Sequence, residues 1–257
     1  MNTYFKRFSS SILFSLAAII LLLIAWSNEV SAKPKVLVFS KNTYFFHASI
    51  PNGIAAIKKL GAENGFNADT TTNADWFIED TLKKYAAVIF ISTADNKGLL
   101  LNQYQEAAFK RYIQKGGGYV GIHAASDAEY DWDWYNKLVG AVFNGHPNKP
   151  HIQQAKLHVV DTGHISTKGL PKVWERKDEW YNFKNLNKDV KVLITIDENT
   201  YIGGTNGNSH PMSWYHNYDG GRAFYTALGH TEESFTEPLF LKHLLGGIQY
   251  AIGQQNN

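Results

Sequence analysis

The chain has 257 residues, no cysteine, and 25 Lys plus Arg against 23 Asp plus Glu, for a formal net charge of +2. Without thiols there are no structural disulfides, no thiolate metal sites, no cysteine nucleophile and no lipoprotein anchor. The balanced charge, with no basic run, gives no footprint for nucleic acid.

In chain order, the first predicted element is an export signal over residues 1–32. Lys6 and Arg7 precede the apolar run SILFSLAAIILLLIAW, and Val30 and Ala32 fit a small-residue cleavage pattern before Lys33. The signal carries Lys6, Arg7 and Glu29, so the mature chain is near +1. Export without disulfides fits the bacterial periplasm, with no membrane span once the signal is removed. One domain is expected over 33–253, with a short tail at 254–257.

KVLVFS (35–40) is a continuous apolar run and predicts a strand buried on both faces. IPNGIAAIKKLGAENG follows with helical spacing and Gly65 as its stop. AAVIFIST (86–93) predicts a second buried strand, LNQYQEAAFKRYIQKGGG an amphipathic helix, and GYVGIHA a third strand. Strand, helix, strand, helix, strand in this order predicts a mainly parallel sheet with helices on both faces. Ligands of such sheets bind outside the carboxyl ends of the strands. Residues 44–47, 93–96 and 123–127 should therefore meet on one edge. The second half is less regular. AKLHVVD and KVLITID predict strands, MSWYHNYDGGRAFYTALGH a hairpin turning at DGG, and EPLFLKHLLGGIQYAIG a closing helix. The long loops FNGHPNKPHI and YIGGTNGNSHP are rich in His, Gly and Asn, as functional mouths often are.

His123 stands where many α/β enzymes place a nucleophile, at a sharp strand-to-helix turn opened by Gly121. A histidine there acts as general base, general acid or metal ligand. His230 ends a second apolar strand in ALGHTEE, with Glu232 two residues on. In class I glutamine amidotransferases a His-x-Glu of this form serves a cysteine at the elbow. Here His123 replaces that cysteine, so thioester chemistry on glutamine is excluded. Further candidates are His47, Asp127, His146, Glu179, His210 and Trp214. The clusters YDWDWY and DEWYNF interleave acids with aromatics, and this composition suits a sugar-stacking cleft.

Together these segments resemble the ThuA-like (trehalose utilisation) family across nearly all of the chain after residue 33. The match runs from KVLVFSKNTYFFHASIP through GGGYVGIHAASD, LVGAVFNGHP and DEWYNF to HPMSWYH and GGRAFYTALGHTEESF. The resemblance implies a flavodoxin-like, class I amidotransferase-like fold and chemistry on keto-sugars or 3-keto-glycosides, with an associated sugar oxidoreductase as a partner. The family's first segment often reads Phe-Arg-His-Asp-Ser. Here Phe46 and Ala48 flank His47, so the arginine and the aspartate are missing.

The expected catalytic set is His123 and His230 as an acid/base pair, with Glu232 orienting His230 and Glu179 as the alternative acid. Trp134, Tyr181 and Trp214 are expected to stack on the sugar, and His47, Asp127 and His210 to bind it. An alternative is metal-dependent hydrolysis, with a divalent ion held by His47, His123 and His230. A third reading is a non-catalytic periplasmic sugar-binding protein.

Overall fold

The computed structural model describes residues 32–95 and 100–254. The expected export signal (but for Ala32), Asn96 and the last three residues of the expected tail lie outside the described residues.

β1 (Lys35–Phe39), β3 (Ala87–Ile91) and β4 (Gly118–Ile122) are the three apolar runs, almost wholly buried. β2 (Asn67–Thr71) pairs in parallel with β1 at the sheet margin. Its sequence NADTT is polar and half-exposed. An edge strand tolerates this, and it leaves no apolar pattern to read in advance. β11 (Gly221–Thr226) pairs in parallel with the other side of β4. The parallel portion thus runs β2-β1-β3-β4-β11, the 2-1-3-4-5 arrangement of flavodoxin-like sheets.

An antiparallel portion continues the same sheet. β10 (Pro211–Tyr218) folds back on β11. The turn places Asp219 at φ 47° and Gly220 at φ 95°, as the DGG signal predicts. Next come β9 (Lys191–Ile196), β6 (Ile152–Val159) and β7 (Val173–Glu179), each antiparallel to its neighbour. Two short strands, β5 (Val142–Phe143) and β8 (Phe183–Lys184), pair separately.

α1 (Ile50–Asn64) stops at Gly65 in the left-handed conformation, φ 79°. α2 (Glu79–Leu82) is a single turn. α3 (Gln103–Gln114) starts at Asn102 with a reciprocal capping box to Gln105. α4 (Asp133–Val139) and α5 (Pro238–Ala251) complete the set. α1 and α5 cover one face of the sheet. A Cβ at Gly247 would lie 2.3 Å from the Phe224 ring, and one at Gly53 2.3 Å from Ile91, so close packing requires glycine at both places. α3 and α4 cover the other face, where Phe109 stacks on Phe90 at 5.4 Å and Tyr135 meets Tyr119 at 6.0 Å. Burying each such ring stabilises the fold by about 1.5–3 kcal/mol. Both layers leave the carboxyl ends of β1, β3, β4 and β11 open to one cleft.

Candidate functional site

The loops leaving these strand ends are tied to one another. Thr43 N–H donates to Ala94 O (3.1 Å), Ala94 N–H to Asn42 Oδ1 (2.7 Å), and Asp95 N–H to Asp127 O (2.9 Å). This fixes the segments that follow β1, β3 and β4 side by side.

His123 takes the first position after β4 with φ +52°. Left-handed backbone at a non-glycine residue costs free energy and is held by its surroundings. Here Tyr225 Oη donates to His123 O (2.8 Å), and Ser126 Oγ pairs with Tyr225 Oη (2.8 Å). Gly121 makes room, since a Cβ there would lie 2.9 Å from both Tyr119 and Tyr225. The His123 Nδ1–H donates to Ala227 O (2.8 Å). That bond orients the ring and turns Nε2 into the cleft.

Three such groups converge there. His123 Nε2 lies 3.1 Å from His230 Nδ1 and 3.2 Å from Glu179 Oε2, and His230 Nδ1 lies 3.2 Å from the same oxygen. His47, just before α1, packs its ring 4.9 Å from His123 and 5.2 Å from His230. One ligand atom from each of these four residues lies within 4.8 Å of all the others.

The electrostatics follow from burial and mutual contact. Burial pushes the Glu179 carboxyl up, but the contacts from His123 and His230 outweigh it and hold it well below the usual carboxylate range. Burial lowers the pKa of His230, yet the hydrogen bond and charge of Glu179 raise it above 6.5 overall. His47 is pushed down to about 2, first by burial and then by the neighbouring histidines, so it is neutral. Its Nδ1 is buried with no hydrogen-bond partner.

Lone pairs turned on one another repel unless a proton or a cation sits between them. Three imidazoles and a carboxylate are the donor set of zinc and other divalent ions. Tetrahedral ligands at zinc distances stand about 3.3 Å apart, close to the 3.1–3.2 Å seen for the inner three. The residues present therefore fit a divalent ion.

The surrounding cleft has a volume of about 490 Å³. Tyr44, Phe45, Asp127, His146, His151 and Tyr181 contribute to its lining. The Tyr181 ring lies over His123 at 4.3 Å. Asp127 is pushed up to about 6, chiefly by burial; a hydrogen bond from Tyr130 opposes this and Asp95 adds to it. The other oxygen of Glu179, Oε1, faces His151 Nε2 (3.2 Å) and His146 Nδ1 (3.4 Å).

Of the residues singled out from sequence, the structure thus brings His47, His123, His230, Glu179, Asp127, His146 and Tyr181 together. Four others lie elsewhere. Trp214 is fully buried, donates its indole N–H to Val139 O (2.7 Å) and stacks on Tyr225, so it is core. Trp134 donates to Asp219 Oδ2 (2.7 Å) at the β10–β11 turn, the opposite end of the sheet from the cleft. His210 is buried between Tyr181 O (2.7 Å) and Glu198 Oε1 (2.8 Å). It braces the backbone of Tyr181 and does not line the cleft. Glu232 is exposed, and His230 takes its carboxylate partner from Glu179 on β7. His151 and Asp178 were not singled out. The first closes a polar loop with no periodicity, and the second is a charged residue on the buried face of a strand.

A flavodoxin-order sheet with a thiol-free pocket of histidines and a glutamate at its carboxyl edge defines the class. This is an α/β protein of the flavodoxin-like, class I amidotransferase-like group. A sequence model of the family described as "ThuA: Trehalose utilisation" matches residues 35–251, and the chain belongs to that family. Among solved structures it is similar to a ThuA-like protein from Bacteroides uniformis ATCC 8492, at 27% identity and TM-score 0.73, covering 89% of this chain and 96% of that one. A ThuA-like protein from Parabacteroides merdae ATCC 43184 is 21% identical with TM-score 0.69, over 88% and 92% of the two chains. The N-terminal domain of mmIFT52 shares the fold alone, at 9% identity and TM-score 0.60, over 86% of this chain and 99% of that one. No curated protein matches the chain in sequence.

Proposed function

We propose that this protein is a metal-dependent enzyme acting on a sugar-derived carbonyl compound, a keto-sugar or 3-keto-glycoside. The observation that carries the reading is the set His47, His123, Glu179 and His230, whose ligand atoms lie within 4.8 Å of one another at the floor of a cleft. The family description, trehalose utilisation, supports the substrate class. The export signal expected in the sequence would place the reaction in the periplasm, next to a sugar oxidoreductase that supplies the carbonyl.

A divalent ion held by these four side chains would supply Lewis acidity toward a carbonyl oxygen taken up as a further ligand. The rest is done by the chain. A carbonyl at C3 of a sugar acidifies the hydrogen at C2, and a group that exchanges a proton near neutral pH is suited to removing it. Asp127, pushed up to about 6, is such a group within the cleft. His151 Nε2 and His146 Nδ1 face the Oε1 of Glu179 and can return a proton to the departing or enolic oxygen. Tyr181 keeps the His123 ring in place, and Tyr44 and Phe45 offer aromatic faces at the mouth.

One observation favours a second reading. His230 carries a raised pKa against Glu179, so the pair can move a proton without an ion. One experiment separates the two. Protein purified without chelator is analysed for metal and assayed on 3-keto-trehalose, before and after chelation. The metal reading expects about one equivalent per chain, activity lost on stripping, and recovery on adding zinc or manganese. Full activity in metal-free protein removes it, and absence of turnover in the loaded protein removes the enzyme reading.

A further inference from the structure

Glu179 and His230 sit 51 residues apart on different segments, yet their side chains meet at 3.2 Å. Besides their side-chain contacts, their backbones share one neighbouring carboxylate.

Asp178 immediately precedes Glu179 on β7 and is fully buried. Its Oδ1 accepts from the backbone N–H of Glu179 (3.0 Å) and of His230 (3.1 Å). Its Oδ2 accepts from the N–H of Gly229 (2.9 Å). One carboxylate thus holds both candidate ligand segments by their main chains. The clamp is itself fixed from behind. Arg176 Nη2 lies 3.1 Å from Asp178 Oδ2 and donates to Ser234 Oγ (2.7 Å), and Arg176 Nε faces Glu237 Oε2 at 3.4 Å. The guanidinium lies over the rings of Trp174 and Phe240, both at 5.1 Å. On the other side, Ser49 Oγ donates to Gly229 O (3.1 Å), which joins the start of α1, two residues after His47, to the same loop.

We infer that Asp178 is a positioning residue for the metal site proposed above: a backbone clamp that sets the Glu179–His230 spacing, and with it the affinity for a divalent ion. A buried ion pair gives a fold little net stability once desolvation is counted. Stability alone is therefore a poor account of a carboxylate with three backbone donors. Asp178 is not among the residues lining the cleft and acts only through the segments it holds.

The inference rests on the metal reading for one of its two tests and stands free of it for the other. Asp178→Asn keeps the size but sets an amide N–H₂ against a backbone N–H. In the full chain stripped by chelator and titrated with Zn²⁺ alone, the variant should keep its stoichiometry and bind about 10–100-fold more weakly, the scale seen when groups that orient ligands are lost. In metal-free protein, hydrogen exchange should speed up at the Gly229 and His230 amides and stay unchanged in β1 and β4. An unchanged zinc affinity with a lowered Tm and uniformly faster exchange means a merely structural residue and overturns the inference. If the parent protein binds no zinc, the metal reading fails, and the exchange pattern alone decides for or against the clamp. If Asp178→Asn does not fold, Ser234→Ala removes only the brace. It should weaken zinc binding less but in the same direction and speed exchange at the same two amides; no change in either overturns the inference.

Discussion

At the scale of single residues, the site is a problem in placing lone pairs. His123 is held in left-handed backbone so that its Nε2 points inward, while the bond from Nδ1–H to Ala227 O holds the ring in that orientation. In metal-free protein Glu179 favours a proton on His230, whose pKa it raises. A divalent ion bound through His230 Nδ1 must displace that proton. Metal affinity should therefore rise about tenfold per pH unit up through 6.5 and level off above the raised pKa of His230, because one proton leaves for each ion bound. Zinc titrations from pH 5.5 to 8.5 test this; a flat profile would mean that His230 is not a ligand. Glu179→Gln removes the anion while keeping the shape. Metal binding should fall by at least about 100-fold, since even groups that only orient ligands are worth about 10–100-fold. The His230 pKa should drop as well, burial then being opposed only by the charge of Asp178, and its ring protons followed by NMR against pH would show it.

At the scale of elements, the sequence reading of the aromatic residues separates from their placement. Trp214 on β10 packs into the core and satisfies Val139 O. Trp214→Phe keeps a ring but leaves that buried carbonyl unpaired, at a cost of about 1–3 kcal/mol. The variant should melt at a lower temperature and bind metal with unchanged affinity; weakened metal binding would return Trp214 to the site. β1, β3, β4, the β10–β11 hairpin and the helices α1, α3 and α5 were legible because apolar runs, Gly65 and the DGG turn are local signals, whereas the polar β2 carried none. His123 and His230 were legible because both end apolar strands. Glu179 stood out by residue type, but its partnership with His230 did not, and Glu232 took that role by proximity in sequence. β7 was opaque because its buried face reads Trp174, Arg176 and Asp178, and charge on that face hides the two-residue period. Which aromatic faces the cleft depends on register and on which end of the sheet it reaches, and composition records neither. His146 and His151 come from a loop without periodicity, so only the folded chain shows them beside Glu179.

At the scale of the whole molecule, the described chain buries an unusual set of neutral imidazoles. His243 is pushed down to about 3 and His164 to about 4, both mainly by burial, in addition to His47 at about 2. His210 and His216 are lowered in the same way. In each case the unfolded chain, with an ordinary value of 6.5, takes up protons first as pH falls. Stability from these groups is complete above pH 6.5 and is lost progressively below it. Glu179, held low, acts in the same direction at more acidic pH. Asp127 at about 6 and Glu129 at about 7 act in the opposite sense. Burial keeps them protonated in the fold, so their contribution declines as pH rises from ordinary carboxylate values up to 7. His230, raised, likewise favours the fold below 6.5. The lowered histidines outnumber these opposing groups, and both sets have largely finished changing their contribution by about pH 7.5. The Tm of metal-free protein should climb between pH 4 and 6.5 and run nearly flat from 7.5 to 9. His243, on the buried face of α5, bonds Ser166 O and Ser213 Oγ, both at 3.0 Å. His243→Gln keeps polar atoms there but cannot titrate, so its Tm should be lower at neutral pH and climb less steeply between 4 and 6.5. A parent Tm that does not change across that interval would show that the buried imidazoles do not govern acid stability.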